Sequence, residues 1–338
     1  MNYSPLDTGY FLLIIFLLFP STGKSENTTF PTLEPSQNFM QHSFGDIGLE
    51  FDRFIDKNAK GQKYFQGPFG ISIGYDRRIY IADDLSHKIF IFDTSHDLLK
   101  TVGQKGKGGG EFAWVDAVVI DKEGNLYVAD TGNDRIQILD GQGNSLKQFG
   151  GRGTKPGRFK NPRGIALDSH NNIYVADWGN HRVQVFDQQG RFLRQFGGFG
   201  SSPGQLHNPI CIFLDQNDQI FVCDFKNHRI QIFDSSGKFI DTFGAFGTSA
   251  GEFRYPSGLT QDPSGHIYVA DYENHRIQIF SKQREFLGAL GHLGDKAGEF
   301  HKPTSVAVND QGTLYVVDKG NNRVQVFSAQ IARKGDVN

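Results

Sequence analysis

The chain has 338 residues, of which 35 are Lys or Arg and 37 are Asp or Glu, giving a formal net charge of -2. This balance excludes a global electrostatic field that would hold nucleic acid or an anionic membrane, so a charged partner requires a local patch. Gly occurs 41 times and Phe 31 times, whereas Met occurs twice. That composition favours many short strands joined by tight turns over a helical bundle.

The N-terminus differs in composition from the rest of the chain. Residues 10–19 are an unbroken apolar run, shorter than the about 20 residues that span a bilayer and typical of the core of a secretory signal peptide. No Lys or Arg precedes this run. We expect residues 1–23 to be a cleaved signal peptide, residues 24–40 a polar linker, and the protein to be secreted. Asn27 begins a glycosylation triplet. If the N-terminal segment stays uncleaved, it anchors the chain in the membrane.

From residue 80 onward, one short motif recurs without a gap. It has the form Tyr-Val-Ala-Asp, with Ile for Val in the first copy, Phe for Tyr and Cys for Ala in the fourth, and Val for the Ala in the sixth. Its aspartates are spaced 47 residues apart. The six aspartates are Asp83, Asp130, Asp177, Asp224, Asp271 and Asp318. Equal spacings of this kind indicate one supersecondary unit copied in tandem.

Each unit contains four short strand signals, named a to d in chain order. In the third unit they cover residues 164–168, 173–176, 182–186 and 192–196, with turn residues such as Gly179 and Gly190 between them. Six four-stranded units predict an all-β, six-bladed propeller. The sixth unit lacks a strand d after Phe327, whereas residues 41–45 end in Phe-Gly, as the d strands of units two, three and four do. We therefore expect an N-terminal strand to complete the sixth blade, with the propeller covering residues 41–328 and a tail at 329–338.

The third unit also carries a recognisable signature. Pro162-Arg-Gly-Ile-Ala is followed by Tyr174-Val-Ala-Asp and by Asn180-His-Arg-Val-Gln-Val-Phe. This pattern resembles NHL repeats, which occur in TRIM-type developmental regulators, in peptidylglycine amidating lyase and in many secreted proteins. The resemblance covers about residues 41–327 and implies the fold, but it leaves binding and catalysis both open.

Several repeated residues have side chains of the kind found in catalytic or metal sites, but they are better explained as structural. A basic residue follows each motif aspartate by five positions, and we expect the two to pair across the b–c turn, as the resemblance also implies. The motif histidines His87, His181, His228 and His275 occupy the same place in different blades. They should diverge radially, so no metal site is expected from them.

The sequence offers little support for an enzyme. Amidating lyases of this fold place zinc-binding histidines just after the proline that opens strand a. The corresponding positions hold no histidine; they are Phe69, Asp116, Arg163, Ile210, Ser257 and Thr304. The zinc site is therefore not carried over, and no cofactor is expected. A lyase or hydrolase with a site in the channel stays as an alternative.

The two cysteines fall in strands a and b of the fourth unit. Cys211 and Cys223 lie six residues on either side of Asn217, near the centre of the a–b turn, so they should face one another across the hairpin. A disulfide is one alternative. Two buried thiols filling small-residue positions are the other, and we favour them.

Departures from the repeat point to binding residues on the face that carries the b–c turns and d–a connections, here called the top face. The predicted aromatic patch comprises Trp114, Trp178, Phe225, Tyr255 and Tyr272. The predicted basic corner comprises Arg152, Lys155, Arg158, Lys160 and Arg163, in a stretch without acidic residues. Packing between blades is the alternative for the aromatic rings, and a solvated loop is the alternative for the basic residues.

These observations predict a non-enzymatic recognition module outside the cell or in the secretory pathway. Its expected partner is a protein or a glycan bound on the top face. Single-stranded RNA is an alternative partner, because TRIM-type NHL domains bind RNA on a basic top face and because aromatic rings with Arg and Lys suit stacked bases.

Overall fold

The structure, a computed structural model, describes residues 48–329. They form six four-stranded antiparallel sheets arranged as the blades of a propeller, which confirms the predicted fold. The first three blades are β2 (Pro68–Ile73), β3 (Ile79–Asp83), β4 (Lys88–Phe92) and β5 (Leu98–Val102); β6 (Val115–Ile120), β7 (Leu126–Asp130), β8 (Arg135–Leu139) and β9 (Ser145–Gly150); β10 (Pro162–Leu167), β11 (Ile173–Asp177), β12 (Arg182–Phe186) and β13 (Phe192–Gly197).

The last three blades follow the same plan. They are β14 (Pro209–Leu214), β15 (Ile220–Asp224), β16 (Arg229–Phe233) and β17 (Phe239–Phe243); β18 (Pro256–Gln261), β19 (Ile267–Asp271), β20 (Arg276–Phe280) and β21 (Phe286–Leu290); β22 (Pro303–Val308), β23 (Leu314–Asp318), β24 (Arg323–Ala329) and β1 (Leu49–Ile55). Short 3-10 helices begin five of the b–c turns, at Thr131–Asn133, Trp178–Asn180, Phe225–Asn227, Tyr272–Asn274 and Lys319–Asn321.

The two ends of the propeller meet in the sixth blade. β1 pairs with β24 in antiparallel register, from Leu49 opposite Ala329 to Ile55 opposite Val324. An N-terminal strand therefore completes the sixth blade, as predicted, and removes a sheet edge. Its position differs from the one predicted, because the strand is Leu49–Ile55 and not residues 41–45. Two periods of 47 residues before Phe149 lead to Ile55, so the repeat spacing was a better guide than the local Phe-Gly pair.

Several predictions concern residues outside the described part of the chain. They are the signal peptide at 1–23, the linker at 24–40 with Asn27, and the tail beyond Ala329. Among residues 48–329, no helix is long and apolar enough to cross a membrane.

Strand b of every blade is buried along its whole length. It lies between strands a and c of its own sheet, and both of its faces pack on neighbouring blades, which explains the continuous apolar run. A fully buried aromatic or Leu side chain from each of five d–a connections adds to these inter-blade cores; these residues are Phe112, Phe159, Leu206, Phe253 and Phe300. The ends of the strands and their connections are thereby held on a rigid frame.

Candidate binding surface and channel

The motif aspartates build the top face instead of binding ligands there. In blades two to six the strand-b carboxylate contacts the guanidinium five residues later, at N–O distances of 2.7–2.9 Å. The same carboxylate accepts a backbone N–H from the d–a connection of its own blade, as Asp177 does from Lys160 at 2.8 Å. Asp83 is fully buried but has no ion pair with Lys88 among the described contacts. The predicted pairing across the b–c turn is thus confirmed in five blades.

The motif histidines lock neighbouring blades together. Each is the left-handed residue that ends the b–c turn, and its Nδ1 atom accepts an N–H from the next blade. The donors to His87, His181, His228 and His275 are the backbones of Trp114, Asn208, Tyr255 and Lys302, at 3.0–3.1 Å. In the second blade, Oδ1 of Asp134 accepts the backbone N–H of Asn161 at 2.7 Å. These histidines therefore position the d–a connections.

The predicted aromatic patch is divided by the structure. Trp114 is exposed, and Trp178 and Tyr255 are half-buried. Phe225 and Tyr272 are only 5% and 7% exposed, with the Phe225 ring centroid 4.9 Å from that of Tyr255 and 6.4 Å from that of Tyr272. Packing between blades absorbs these two rings, so they do not present surface anchors.

The predicted basic corner is also divided. Arg152, Lys155, Arg158 and Lys160 are exposed on the d–a connection that leads into the third blade. Arg163 is instead 5% exposed and lies with its Nη1 atom 3.1 Å from Oδ2 of Asp116 in the second blade. The basic corner at the surface therefore consists of the four exposed residues.

One exposed apolar set was missed at the sequence level. Phe199, Phe246 and Leu293 are 66%, 64% and 61% exposed, at the same place in the d–a connections that lead into blades four, five and six. The equivalent residues before them in the ring are Lys105 and Arg152. We call the three residues the apolar row. Aligning the d–a connections by the 47-residue period would have found them, since only this position changes from basic to large apolar.

Each ring of the apolar row lies against polar neighbours. The Phe199 ring is 5.0 Å from both His181 and His207, centroid to centroid. The Phe246 ring is 4.9 Å from His228, and the Arg254 guanidinium lies 5.9 Å from its centroid. Aromatic rings held by such contacts and open to solvent on one side are typical of recognition surfaces.

The first strand (strand a) of each of the six blades lines a central cavity of about 360 Å³. At its upper end, the ring of Phe69 lies 5.5 Å from the Arg163 guanidinium and 4.5 Å from Nζ of Lys319. Lys319 also pairs with Asp84 at 2.7 Å. Burial raises the pKa of Asp116 to about 6, while the nearby Arg163 charge opposes that shift. No three His, Cys, Asp or Glu side chains of residues 48–329 are grouped so that they could hold a metal ion.

Cys211 and Cys223 are both free thiols in the structure. Cys223 is buried, and burial raises the pKa of its thiol. Cys211 is half-buried and lines the central cavity, and a hydrogen bond from Cys223 lowers its pKa. The two sulfur atoms therefore lie close enough to interact without being joined.

Labelling of the denatured, unreduced protein with a thiol reagent is expected to modify both cysteines, because the structure contains no bond between them. Mass spectrometry of the labelled chain gives the count directly. Labels that appear only after treatment with a reductant would instead show a disulfide.

A ring of six four-stranded blades closed by the N-terminal strand defines this chain as a six-bladed β-propeller. The NHL repeat model matches residues 159–186, 206–233, 253–280 and 300–327, and a family described as 6-bladed beta-propeller matches residues 65–140. The chain thus contains NHL repeats within a six-bladed β-propeller. A search of the curated proteins found no match.

Solved structures with the same fold include two lyases. An inactive virginiamycin B lyase from Staphylococcus aureus with quinupristin is 15% identical, with a TM-score of 0.57, over 84% of this chain and 90% of that chain. A streptogramin B lyase is 14% identical, with a TM-score of 0.58, over 86% and 100%. A protein of unknown function from Bacteroides thetaiotaomicron is 14% identical, with a TM-score of 0.63, over 86% and 75%. At these identities the likeness shows the fold alone.

Proposed function

We propose that this protein is a non-enzymatic recognition module of the secretory pathway or extracellular space, which binds a protein partner on the top face of its propeller. The observation that carries the proposal is the apolar row. Phe199, Phe246 and Leu293 expose large apolar side chains at one place in three successive blades. Large exposed apolar side chains with polar neighbours form the kind of surface that protein partners cover.

The frame beneath the apolar row favours tight binding. The d–a connections that carry it are tied to the b–c turns through Asp224, Asp271 and Asp318, which accept backbone N–H groups at 2.7 Å. Binding then orders few additional side chains or loops, so little conformational entropy is lost when a partner associates.

The charge distribution on this face indicates which kind of partner segment would bind. The basic corner lies on the connection into the third blade, and the apolar row begins on the connection into the fourth. A partner that crosses these blades meets Arg and Lys on one side and apolar side chains on the other. We therefore propose a partner segment with acidic residues next to apolar ones, since opposite charges steer association and specify orientation.

Replacing the apolar row with Phe199→Ser, Phe246→Ser and Leu293→Ser together is expected to weaken partner capture by about tenfold or more, because each buried anchor contributes more than about 1 kcal/mol. Quantitative mass spectrometry of proteins retained from conditioned medium measures the loss. The side chains are exposed in the free protein, so the melting temperature should change little.

Leu146→Ser, Leu193→Ser and Ile240→Ser together provide the matched control. These side chains are also exposed and apolar, but they lie on the outer strands β9, β13 and β17. Equal loss of capture in both triple variants would contradict a top-face site. Appearance of the protein in the medium, glycosylated at Asn27, tests the proposed location separately.

Single-stranded RNA is a second candidate partner. The exposed Phe199 and Phe246 rings, with the Arg254 guanidinium near the second, could stack successive bases beside a basic surface. Fluorescence polarisation with a labelled single-stranded RNA separates the two proposals. Saturable binding that falls steeply with added salt would favour RNA, whereas the protein proposal expects none.

A further inference from the structure

The d–a connections share a short turn that a carboxylate caps in three blades. In the connection into the second blade, Oε2 of Glu111 accepts the N–H groups of Lys107 and Gly108 at 3.1 and 2.8 Å. Oε2 of Glu299 accepts those of Asp295 and Lys296 at 3.1 Å each in the connection into the sixth blade. The equivalent groups in the fifth blade are Glu252 and the Ser249 N–H, at 2.9 Å.

The lowered pKa values of the capping glutamates indicate that these turns favour an anion. The backbone hydrogen bonds are the largest cause that lowers the pKa of each capping glutamate, Glu111, Glu252 and Glu299. Hydrogen bonds to the charged form of a carboxyl group stabilise that form. Successive backbone N–H groups that converge on one oxygen are a recognised kind of anion site.

The connection into the third blade keeps this turn but lacks the carboxylate. Arg158 stands at the position of Glu111 and Glu299, and its Nη1 atom donates to the carbonyl oxygen of Gly150 at 2.5 Å. The N–H groups of Thr154 and Lys155, equivalent to those of Lys107 and Gly108, have no acceptor among residues 48–329.

The backbone of this connection is otherwise the same as in its relatives. Arg158 N–H donates to Lys155 O at 3.0 Å, as Glu299 N–H donates to Lys296 O at 3.1 Å. The bridge between Arg152 and Phe159 matches that between Lys105 and Phe112. The two free N–H groups are therefore held in the arrangement that binds a carboxylate oxygen elsewhere in the chain.

The surroundings add positive charge to this unoccupied turn. Arg152, Lys155, Arg158 and Lys160 are all exposed on this connection, and the stretch from residue 151 to residue 163 contains no acidic residue. The carboxylate recorded beside these cations is that of Asp134, with Oδ2 at 4.0 Å from Nη1 of Arg152. A carboxylate that enters would accept two backbone hydrogen bonds on a connection whose own charged side chains are all cationic. Such charge-assisted hydrogen bonds are roughly twice as strong as neutral ones.

We infer that the Thr154 and Lys155 N–H groups, with the basic corner around them, form a binding site for a Glu or Asp side chain of the protein partner. This inference rests on the proposed function and names a contact within it. The preference for a carboxylate over another oxyanion follows from the three glutamates that occupy the same turn in the other blades.

The first test is an NMR titration of the ¹⁵N-labelled protein with sodium acetate, and separately with a hexaglutamate peptide. The amide signals of Thr154 and Lys155 are expected to move in a saturable way, because their N–H groups gain an acceptor. Those of Lys107 and Gly108 already have one in Glu111 and should stay in place. Thr154 and Lys155 signals that do not move, or that move no more than those of Lys107 and Gly108, would overturn the inference.

The second test uses Arg158→Glu, which restores an internal carboxylate at this turn. Binding of the hexaglutamate peptide should weaken by about tenfold or more, as expected when hydrogen bonds to a charged group are lost. Arg152→Glu makes the same change of charge on a neighbouring exposed side chain that does not occupy the Glu111 position. Peptide binding should weaken less in Arg152→Glu than in Arg158→Glu. Equal weakening in the two variants would overturn the inference, because it would show that only net charge matters.

The triple serine variant and the acetate titration separate this inference from the proposed function. The triple serine replacement of the apolar row should leave the acetate-induced shifts of Thr154 and Lys155 unchanged. Conversely, failure of the acetate titration would not alter the expected loss of partner capture in that triple variant. An inorganic sulfate titration that moves the two signals while acetate does not would overturn the preference for a carboxylate.

Discussion

Asp177→Ala is expected to lower the free energy of unfolding by about 3–5 kcal/mol, because it leaves a buried guanidinium without its counter-charge. Oδ2 of Asp177 accepts Nε of Arg182 at 2.8 Å, and Arg182 is itself buried. Asn180 and Gln184 also donate side-chain N–H groups to this oxygen, at 2.8 and 3.0 Å. The variant removes the oxygen that accepts these three hydrogen bonds, and also the oxygen that accepts the Lys160 N–H.

The burial that makes this loss large also limits what the ion pair contributes. Burial raises the pKa of Asp177, and the donated hydrogen bonds from Lys160, Asn180 and Arg182 only partly offset it. The pair therefore serves to hold the b–c turn against the d–a connection more than to add net stability. Removing one partner of the pair still lowers stability strongly, because the desolvation of the remaining charge is no longer compensated.

Asp83→Ala is the matched control, at the same place in the first blade. Asp83 is fully buried and accepts the backbone N–H groups of Gln66, Gly67 and Ser86. It has no ion pair with Lys88 among the described contacts, so its replacement strands no buried cation. Guanidinium unfolding followed by circular dichroism should show a distinctly larger loss for Asp177→Ala, and similar losses would contradict this explanation.

Acidification is expected to destabilise the propeller as the pH falls below about 6.5, the ordinary pKa of His. Burial is the main cause that lowers the pKa of His87, His181, His228 and His275 in the folded state. The unfolded chain therefore binds protons more readily between 6.5 and these lowered values, and stability falls across that interval. Protonation of Nδ1 also removes the acceptor that each histidine offers to the next blade.

After burial, the largest effect of a neighbouring charge acts in the same direction at all four of these sites. After burial, the next causes that lower the pKa are Lys105 for His87, His207 for His181 and Lys226 for His228. For His275 the neighbour is His301. Each lost inter-blade hydrogen bond is expected to cost about 1 kcal/mol.

Replacing all four of these histidines with Asn tests the origin of the pH effect. Asn322 already adopts the left-handed conformation at this place in the sixth blade, so the backbone tolerates the change. Thermal unfolding followed by circular dichroism should show a much smaller drop between pH 7 and pH 5, as Asn does not titrate. His170→Asn, on an exposed a–b turn, should retain the full pH dependence. An unchanged pH profile in the quadruple variant would place the effect elsewhere.

The repeat allowed the fold to be predicted from the sequence because a 47-residue period specifies the same local environment six times. The blade count, the four strands of each blade, the Asp177–Arg182 type of pair and the closing N-terminal strand all follow from it. The exposed basic corner followed from its departure from the period. The closing strand was misplaced because a local Phe-Gly pair was preferred over the spacing itself.

Exposure and hydrogen-bond satisfaction depend on neighbouring blades, so only the tertiary structure decided them. Phe225 is buried against Tyr255 and Tyr272, whereas Phe199, equally aromatic, is open to solvent. The free N–H groups of Thr154 and Lys155 become evident only when the folded connections are compared. The sequence by itself thus determined the scaffold, through a local pattern that repeats. The tertiary structure determined the candidate site, since burial and unpaired donors arise where separate blades meet.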